Sequence, residues 1–455
     1  MKAKKLISLA LGALMCVGAF TACGDSAAPT ATPPAAATTE PASNATEPPA
    51  ATVEPTPDAP EPVQLSWAVW DYDTTPYYKA LTDAYSAIHP EVTFNPVDLG
   101  SQDYQNMLTT QLSGGADLDV ITVKDIPGYA NLVNQGFLEP LAGYISSAGI
   151  DPAAYGGTLE QITVDGEVYA IPFRSDHWVI FYNKALFDAA GVPYPTNDMT
   201  IAQYDELAAQ VTSGDGESKV YGEHFHTWRS TRQLWAVLDG QNTIVQGAYE
   251  FMKPTYERIL KLMDDGVAMD YATVKTTGLH YSAAFYNQQA AMLNMGSWFI
   301  PTQIDKVATG ESLATEWGIV KYPHPEGVAA GTTLGTITSA GVNPASSKRE
   351  AALDFVKFIS GAEGALVLAG LGQFPAVKTD EVADTIASID GFPTDDNSKE
   401  ALKTTKVYLE MPLDKNSAAI ETVLNEADDA IMTGSITVDE GIEQMNTGVQ
   451  EILAQ

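Results

Sequence analysis

Arg174-Ser175-Asp176-His177-Trp178 sets a cation, a carboxylate, an imidazole and an indole between two apolar runs, Val168 to Phe173 and Val179 to Tyr182. Charged groups in such a place are costly to bury unless paired. The cluster therefore lines a pocket or closes an internal salt bridge under a tryptophan lid, and polar clusters at strand ends favour the pocket. Ala290 to Ile300 (AAMLNMGSWFI) is an apolar run that stops at Gly296-Ser297 and resumes at Trp298. An indole there is either core or a flat apolar platform for a sugar ring, with polar neighbours supplying direction. Trp70 and Asp71 follow the alternating stretch Val63 to Val69, a place where open α/β sheets make ligand contacts. Asp125 precedes Ile126-Pro127 and can cap a helix, face a cleft, or do both. Trp228 and Arg229 end the stretch His224-Phe225-His226-Thr227-Trp228-Arg229. Two histidines at that spacing could ligate a metal from a strand, but no third ligand stands close by, so no metal site is expected.

The elements around these residues alternate. After Val63 to Val69, a helix starts at Pro76 with Tyr77, Leu81, Ala84, Tyr85 and Ile88 on one face. Strand Val92 to Val97 leads to a helix capped by Ser101 with Tyr104, Met107, Leu108 and Leu112 inward. Strand Asp119 to Val123 leads to the helix behind Asp125. An Asp165-Gly166 hairpin turn precedes Val168. Thr200 with Gln203, Ser347 with Glu350 and Thr437 with Glu440 read as capping boxes. Further strands are expected at Lys219 to Tyr221, Trp317 to Val320 and Gly335 to Thr338. The last is rich in small residues, where a hinge or close ligand approach fits. Helices dominate from Ser347 onward.

The chain has 455 residues, 45% of them hydrophobic, enough for a sizeable core and two or three domains. Its 58 acidic residues against 24 basic ones give a formal net charge of -34, which argues against nucleic acid or an anionic membrane surface as partner. Lys2, Lys4 and Lys5 followed by the apolar stretch Leu6 to Phe20 form an export signal. The signal segment spans 1–22, and Phe20-Thr21-Ala22-Cys23-Gly24 resembles the bacterial lipoprotein box, which implies lipidation of Cys23. Cys16 lies within the part removed, leaving the mature chain without a disulfide or cysteine metal site. Residues 23–62 are rich in Ala, Thr, Pro and Glu and read as an extended, Pro-stiffened tether.

Four stretches in order resemble the extracellular solute-binding proteins of ABC importers, in the family that includes maltose-binding protein. They are Asp117 to Leu141, Asp165 to Gly191, Phe285 to Trp298 and Ser339 to Val377. The resemblance implies an α/β, two-lobed periplasmic-binding-protein-like fold of type II, with lobes joined by crossing hinge strands and a ligand cleft between them. Lobe 1 would comprise 63–173 and 339–383, and lobe 2 would comprise 174–338 and 384–455. It places Asp125 in the first lobe's cleft wall, Arg174 and Asp176 just past the first crossing, and Trp298 as the stacking platform. In maltose-binding protein a second aromatic stacks from the C-terminal helices, whereas the matching region here, Lys415 to Ile420, has none, which leaves that role to Trp228 or Trp178. The implied function is a lipid-anchored receptor on the extracellular face, a monomer without cofactor, that hands a sugar or oligosaccharide to an ABC permease. Arg174, Arg229 and His226 leave open an anionic solute such as a uronate or glycerol phosphodiester. A secreted glycoside hydrolase using Asp71 and Asp125 is the reading from another class, yet no acid and nucleophile occur together, so no catalytic residues are expected.

Overall fold

The structure is a computed structural model and describes residues 61–455 except Gln102. The expected signal segment, Cys23 and nearly all of the tether lie outside the described residues. Among the described residues no helix is long and apolar enough to cross a membrane.

Nine strands form the framework: β1 Val63–Val69, β2 Val92–Asp98, β3 Val120–Val123, β4 Ile171–Asn183, β5 Tyr221–His224, β6 Ala290–Gly296, β7 Trp317–Lys321, β8 Thr332–Val342 and β9 Lys406–Leu409. β1 lies parallel between β2 and β3, and β3 pairs antiparallel with the end of β8, Val123 opposite Ser339. β6 and β7 flank the second half of β4 antiparallel, and β5 runs parallel to β6. The two groups are joined by the longest strands. β4 pairs with β8 from Ile171 to His177, then with β6 from Trp178 to Tyr182, while β9 lies along the start of β8. This is the expected two-lobed α/β architecture with crossing strands.

β4 departs from expectation in one respect. Arg174 to Trp178 does not interrupt two strands; it is the middle of a single strand whose thirteen residues are all buried. The strand tolerates its charges because they pair with one another and with groups on neighbouring elements, as the cleft geometry shows. A register shift between Pro172 and Arg174 marks the crossing.

Each lobe has an aromatic centre. Trp67 on β1 meets Tyr78 and Phe355 edge-on, both with centroids at 5.1 Å, clamping the helices Pro76–Ile88 and Arg349–Ser360 to the first sheet. Phe181 on β4 meets Phe299 at 4.9 Å and Trp317 at 6.0 Å in the second. Truncating a buried aromatic of this kind to Ala costs about 3–5 kcal/mol. Asp119 fastens the returning chain to β3: its buried carboxylate accepts from Ser66 N at 2.8 Å, Ser346 Oγ at 2.6 Å and Lys348 Nζ at 3.0 Å.

Local chemistry follows the sequence in several places. Thr200 and Thr437 form the expected capping boxes with Gln203 and Glu440. Asp165 and Gly166 both have positive φ, 52° and 85°, as a two-residue hairpin turn requires. Ser347 caps nothing, because Ser346 is drawn to Asp119 and the helix begins only at Arg349. The helix expected to be capped by Ser101 begins at Tyr104 behind Asp103. Ile88 and Met107 are 56% and 44% exposed rather than inward. Tyr78 and Thr82 join Tyr77, Leu81 and Tyr85 on the buried stripe of the first helix, and Tyr104, Leu108 and Leu112 form that of the second.

Candidate ligand-binding cleft

The ends of β1 and β3, the crossing parts of β4 and β8, the turn after β6 and the C-terminal segment Glu410–Asn425 surround a cleft of about 580 Å³. Trp70, Asp125, Arg174, Asp176, Trp228, Arg229 and Trp298 all border it, although they come from distant parts of the chain. Asp71 does not. Its backbone adopts the left-handed conformation at φ 49°, its N–H donates to Asp98, and its carboxylate accepts from Ser101 N at 3.0 Å, so it shapes the loop behind Trp70.

The aromatic groups form two walls. Trp70 stands half-buried at the end of β1, edge-on to Tyr104 at 5.2 Å and Tyr78 at 5.8 Å, with the Lys124 ammonium 5.6 Å from its ring centre. Opposite, Trp298 follows the tight turn Gly296-Ser297 and heads the helix Phe299–Ala308. Trp178 is fully buried beneath it, edge-on at 5.6 Å, and its indole N–H donates to Glu410 at 3.2 Å. Trp228 is 42% exposed and lies 6.4 Å from Trp298. Trp178 thus braces the platform, and Trp228 extends it towards solvent.

The two guanidinium charges in the cleft are paired. Arg174 donates to Asp176 at 2.8 Å and to the Tyr77 hydroxyl at 3.2 Å, with its guanidinium 4.8 Å from the Tyr77 ring. The other oxygen of Asp176 accepts from Ser297 Oγ at 2.8 Å, which ties β4 to the turn that carries Trp298. The cluster thus closes an internal salt bridge and borders the pocket at once. Arg229 donates to Glu421 at 2.9 Å and to Gln233 at 3.3 Å. Lys124 donates to the Ser101 carbonyl at 2.6 Å. Burial pushes the Asp176 carboxyl up against the pull of Arg174, and it raises Glu410 against the pull of Arg229. Asp125 caps the helix Ile126–Asn134 by accepting from Gly128 N at 2.8 Å, and burial together with the nearby Glu421 charge raises its pKa. It caps and borders the cleft at once.

Gly335 on β8 allows the two crossing strands to meet. A Cβ there would stand 2.5 Å from the Asp176 carbonyl oxygen, so the small residues expected at a close approach admit backbone at this point. The sequence did not reveal Glu410, Met411, Glu421 and Asn425, which line the cleft from the C-terminal segment with three polar groups and a thioether in place of an aromatic. The signal was slight: a Glu directly behind the apolar Val407-Tyr408-Leu409 and a Glu within an ordinary amphipathic helix. Among the described residues no group of three or more His, Cys, Asp or Glu is placed to hold a metal ion.

Residues 72–366 match the bacterial extracellular solute-binding protein family, and the chain belongs to it. A sugar transporter protein of Rhizobium etli, solved in an open conformation, is 55% identical, with 85% of this chain and 99% of that one covered and a TM-score of 0.81. A binding protein of Brucella abortus is 31% identical over 165 residues, 35% of this chain, and the match spans only 38% of that relative's length. The lactose-binding protein of Rhizobium radiobacter is 24% identical over 307 residues, covering 64% of this chain and 69% of that protein.

Proposed function

We propose that this chain is the substrate-binding component of an ABC importer and that it captures a neutral sugar or short oligosaccharide in the cleft. The observation that carries the reading is the Trp298 platform bordering a cleft whose two guanidinium groups are already paired with carboxylates. An indole face covers a sugar ring, and ionised groups with further hydrogen-bonding capacity orient its hydroxyls more strongly than neutral ones. Trp70, Asp125, Arg174, Asp176, Trp228, Arg229 and Trp298 are the binding residues in this reading, with Glu410, Glu421 and Asn425 added. The relatives that bind lactose or belong to sugar transporters support the substrate class.

An anionic solute is less well served, because Arg174 and Arg229 each spend their charge on a carboxylate within the cleft. The lobes divide as 63–173 with 339–383 and 174–338 with 384–455. They close on the ligand because the closed form binds it better. The chain works as a monomer on the extracellular face, tethered through lipidated Cys23, and carries out no catalysis.

Calorimetric titration with a panel of neutral di- and trisaccharides, a uronate and a glycerol phosphodiester, each at low and high salt, tests the substrate class. A neutral sugar is expected to bind with little salt dependence. Tight, salt-sensitive binding of the uronate or phosphodiester alone would replace the sugar reading, and release of reducing ends would overturn the non-catalytic one. Metabolic labelling with a radioactive fatty acid, abolished in Cys23→Ser, tests the anchor.

A further inference from the structure

Trp228 and Trp298 stand side by side at the border of the cleft, with ring centres 6.4 Å apart and planes inclined by 56°. That spacing is close to the step between successive pyranose rings in a glycan. Trp298 has Trp178 beneath it. Trp228 is 42% exposed and lies on the irregular stretch between β5 and the short helix Ser230–Gln233, so its ring is held only as far as its neighbours hold it.

The backbone under Trp228 is pinned from one side. The Thr231 hydroxyl lies 2.8 Å from the carbonyl oxygens of both His226 and Trp228, and Arg232 donates to His226 O at 2.6 Å and to Thr227 O at 3.1 Å. These bonds place the Cα of Trp228 and leave its χ angles to packing. Besides Trp298, two rings supply that packing: His226, edge-on at 4.7 Å, and Tyr281, at 5.5 Å. Tyr281 opens the helix Tyr281–Tyr286 and is itself wedged, with Phe299 edge-on at 5.4 Å, His226 edge-on at 5.4 Å and His280 at 4.1 Å. Phe299 belongs to the aromatic centre of the second sheet, so this support reaches the core. Tyr281 also touches the other indole. Burial raises its hydroxyl pKa, and a hydrogen bond from the Trp298 side chain counters that rise. Tyr281 contacts both indoles yet does not line the cleft.

We infer that Tyr281 is a positioning residue that sets the length of sugar the cleft prefers: by holding Trp228 beside Trp298 it makes two adjacent ring-sized subsites. The inner ring lies against Trp298, and the next lies against Trp228, towards solvent. A disaccharide is covered by both indoles and a monosaccharide by one. An indole already held in place loses little rotamer freedom when a ring settles on it, which is how packing behind a site is turned into affinity. This assignment rests on the sugar reading of the cleft.

Maltose, cellobiose and lactose, with glucose and galactose as their component rings, are titrated by calorimetry into the full chain and into Tyr281→Ala, Tyr281→Phe, Trp228→Ala and the double variant Tyr281→Ala/Trp228→Ala. At least one disaccharide is expected to bind the wild type about tenfold more tightly than its component rings. Tyr281→Ala is expected to remove most of that preference while keeping the monosaccharide affinity, a selective loss that general unfolding would not produce. Tyr281→Phe retains the ring and is expected to retain the preference. Trp228→Ala, at an exposed position that tolerates truncation, is expected to lose the preference as well, and the double variant to lose no more than Trp228→Ala alone, because Tyr281 acts through Trp228. A wild-type preference in Tyr281→Ala or in Trp228→Ala, additive losses in the double variant, or disaccharides bound no more tightly than their rings by the wild type would overturn the assignment and leave the sugar reading standing. Failure of all five sugars to bind the wild type would overturn both.

Discussion

The Trp298 indole occupies the space in which a Cβ on Gly296 would stand: such an atom would lie 2.0 Å from Cζ3 and 2.2 Å from Cη2 of the ring. The glycine is therefore what lets the indole fold back over the turn at the border of the cleft. Gly296→Ala is expected to displace the ring and weaken sugar binding roughly tenfold, a loss of about 1.4 kcal/mol. Trp298→Ala is expected to weaken it at least as much, through lost apolar cover worth about 1.5–3 kcal/mol. Titration of both variants with the best-bound sugar checks this, and wild-type affinity in Trp298→Ala would remove the platform from the binding site.

Asp125 has two roles that substitution can separate. Asparagine caps a helix as well as aspartate, so Asp125→Asn is expected to keep the thermal midpoint while weakening sugar binding. Asp125→Ala loses the cap as well, at about 1 kcal/mol of stability. Thermal melts and titrations of the two variants side by side provide the measurement. Equal affinity in wild type and Asp125→Asn would leave capping as the sole role.

Glu223 on β5 is completely buried, accepts from Asn294 Nδ2 at 2.8 Å, and is pushed up to about 8, chiefly by burial. A carboxyl whose folded pKa exceeds its unfolded one stabilises fully below the unfolded value, and that contribution is lost as pH rises through the folded value. Stability should therefore fall between pH 6.5 and 8 by at most about 2 kcal/mol from this group. The buried histidines act in the opposite sense: His177, His224 and His226 are depressed to about 3 or 4 in the fold, so their protonation in the unfolded chain makes stability rise with pH just above 6.5. That contribution is shared by Glu223→Gln, so urea unfolding at both pH values is expected to show a more positive change in stability from pH 6.5 to 8 in the variant than in the wild type. An unchanged pH slope in that variant would refute the assignment.

Arg232 and Asp428 form a fully buried ion pair in which Arg232 Nε donates to Asp428 Oδ1 at 3.0 Å and the Tyr256 hydroxyl donates to the same carboxylate at 2.9 Å. The pair pins the helix Ser417–Met432, which carries Glu421 and Asn425, to the short helix Ser230–Gln233. Asp428→Ala leaves the arginine charge without its partner and is expected to cost about 3–5 kcal/mol. Chemical denaturation measures the loss. Replacing both residues by apolar ones, Arg232→Met with Asp428→Leu, is expected to restore much of it.

Much of the framework was legible because it rests on local rules. The capping boxes at Thr200 and Thr437, the Asp165-Gly166 turn and the apolar runs of β1, β3 and β6 depend on residues within a few positions of one another. The unread parts depend on distant partners. β4 looked interrupted because nothing near Arg174 reveals that Tyr77 and Ser297 will complete the pairing of the cluster. Ser347 looked like a cap because the pull of Asp119 on Ser346 comes from a strand more than two hundred positions away. Within the cleft, tryptophans after apolar runs were conspicuous, whereas Glu410 and Glu421 resembled any other surface acid of a strongly acidic chain.

The pairing of β3 with the end of β8 has a consequence for how the chain acquires its shape. Val123 finds its partner only when Ser339 exists, so the first sheet stays incomplete while the whole intervening stretch is made. Contacts this far apart carry a large loop-closure penalty before they return any stabilisation. The two halves therefore cannot mature one after the other from the N-terminus. A truncation before Thr332 leaves both β3 and β4 with an unpaired edge, the template for sticking to other copies, and such fragments should be recovered as aggregates rather than as a working half.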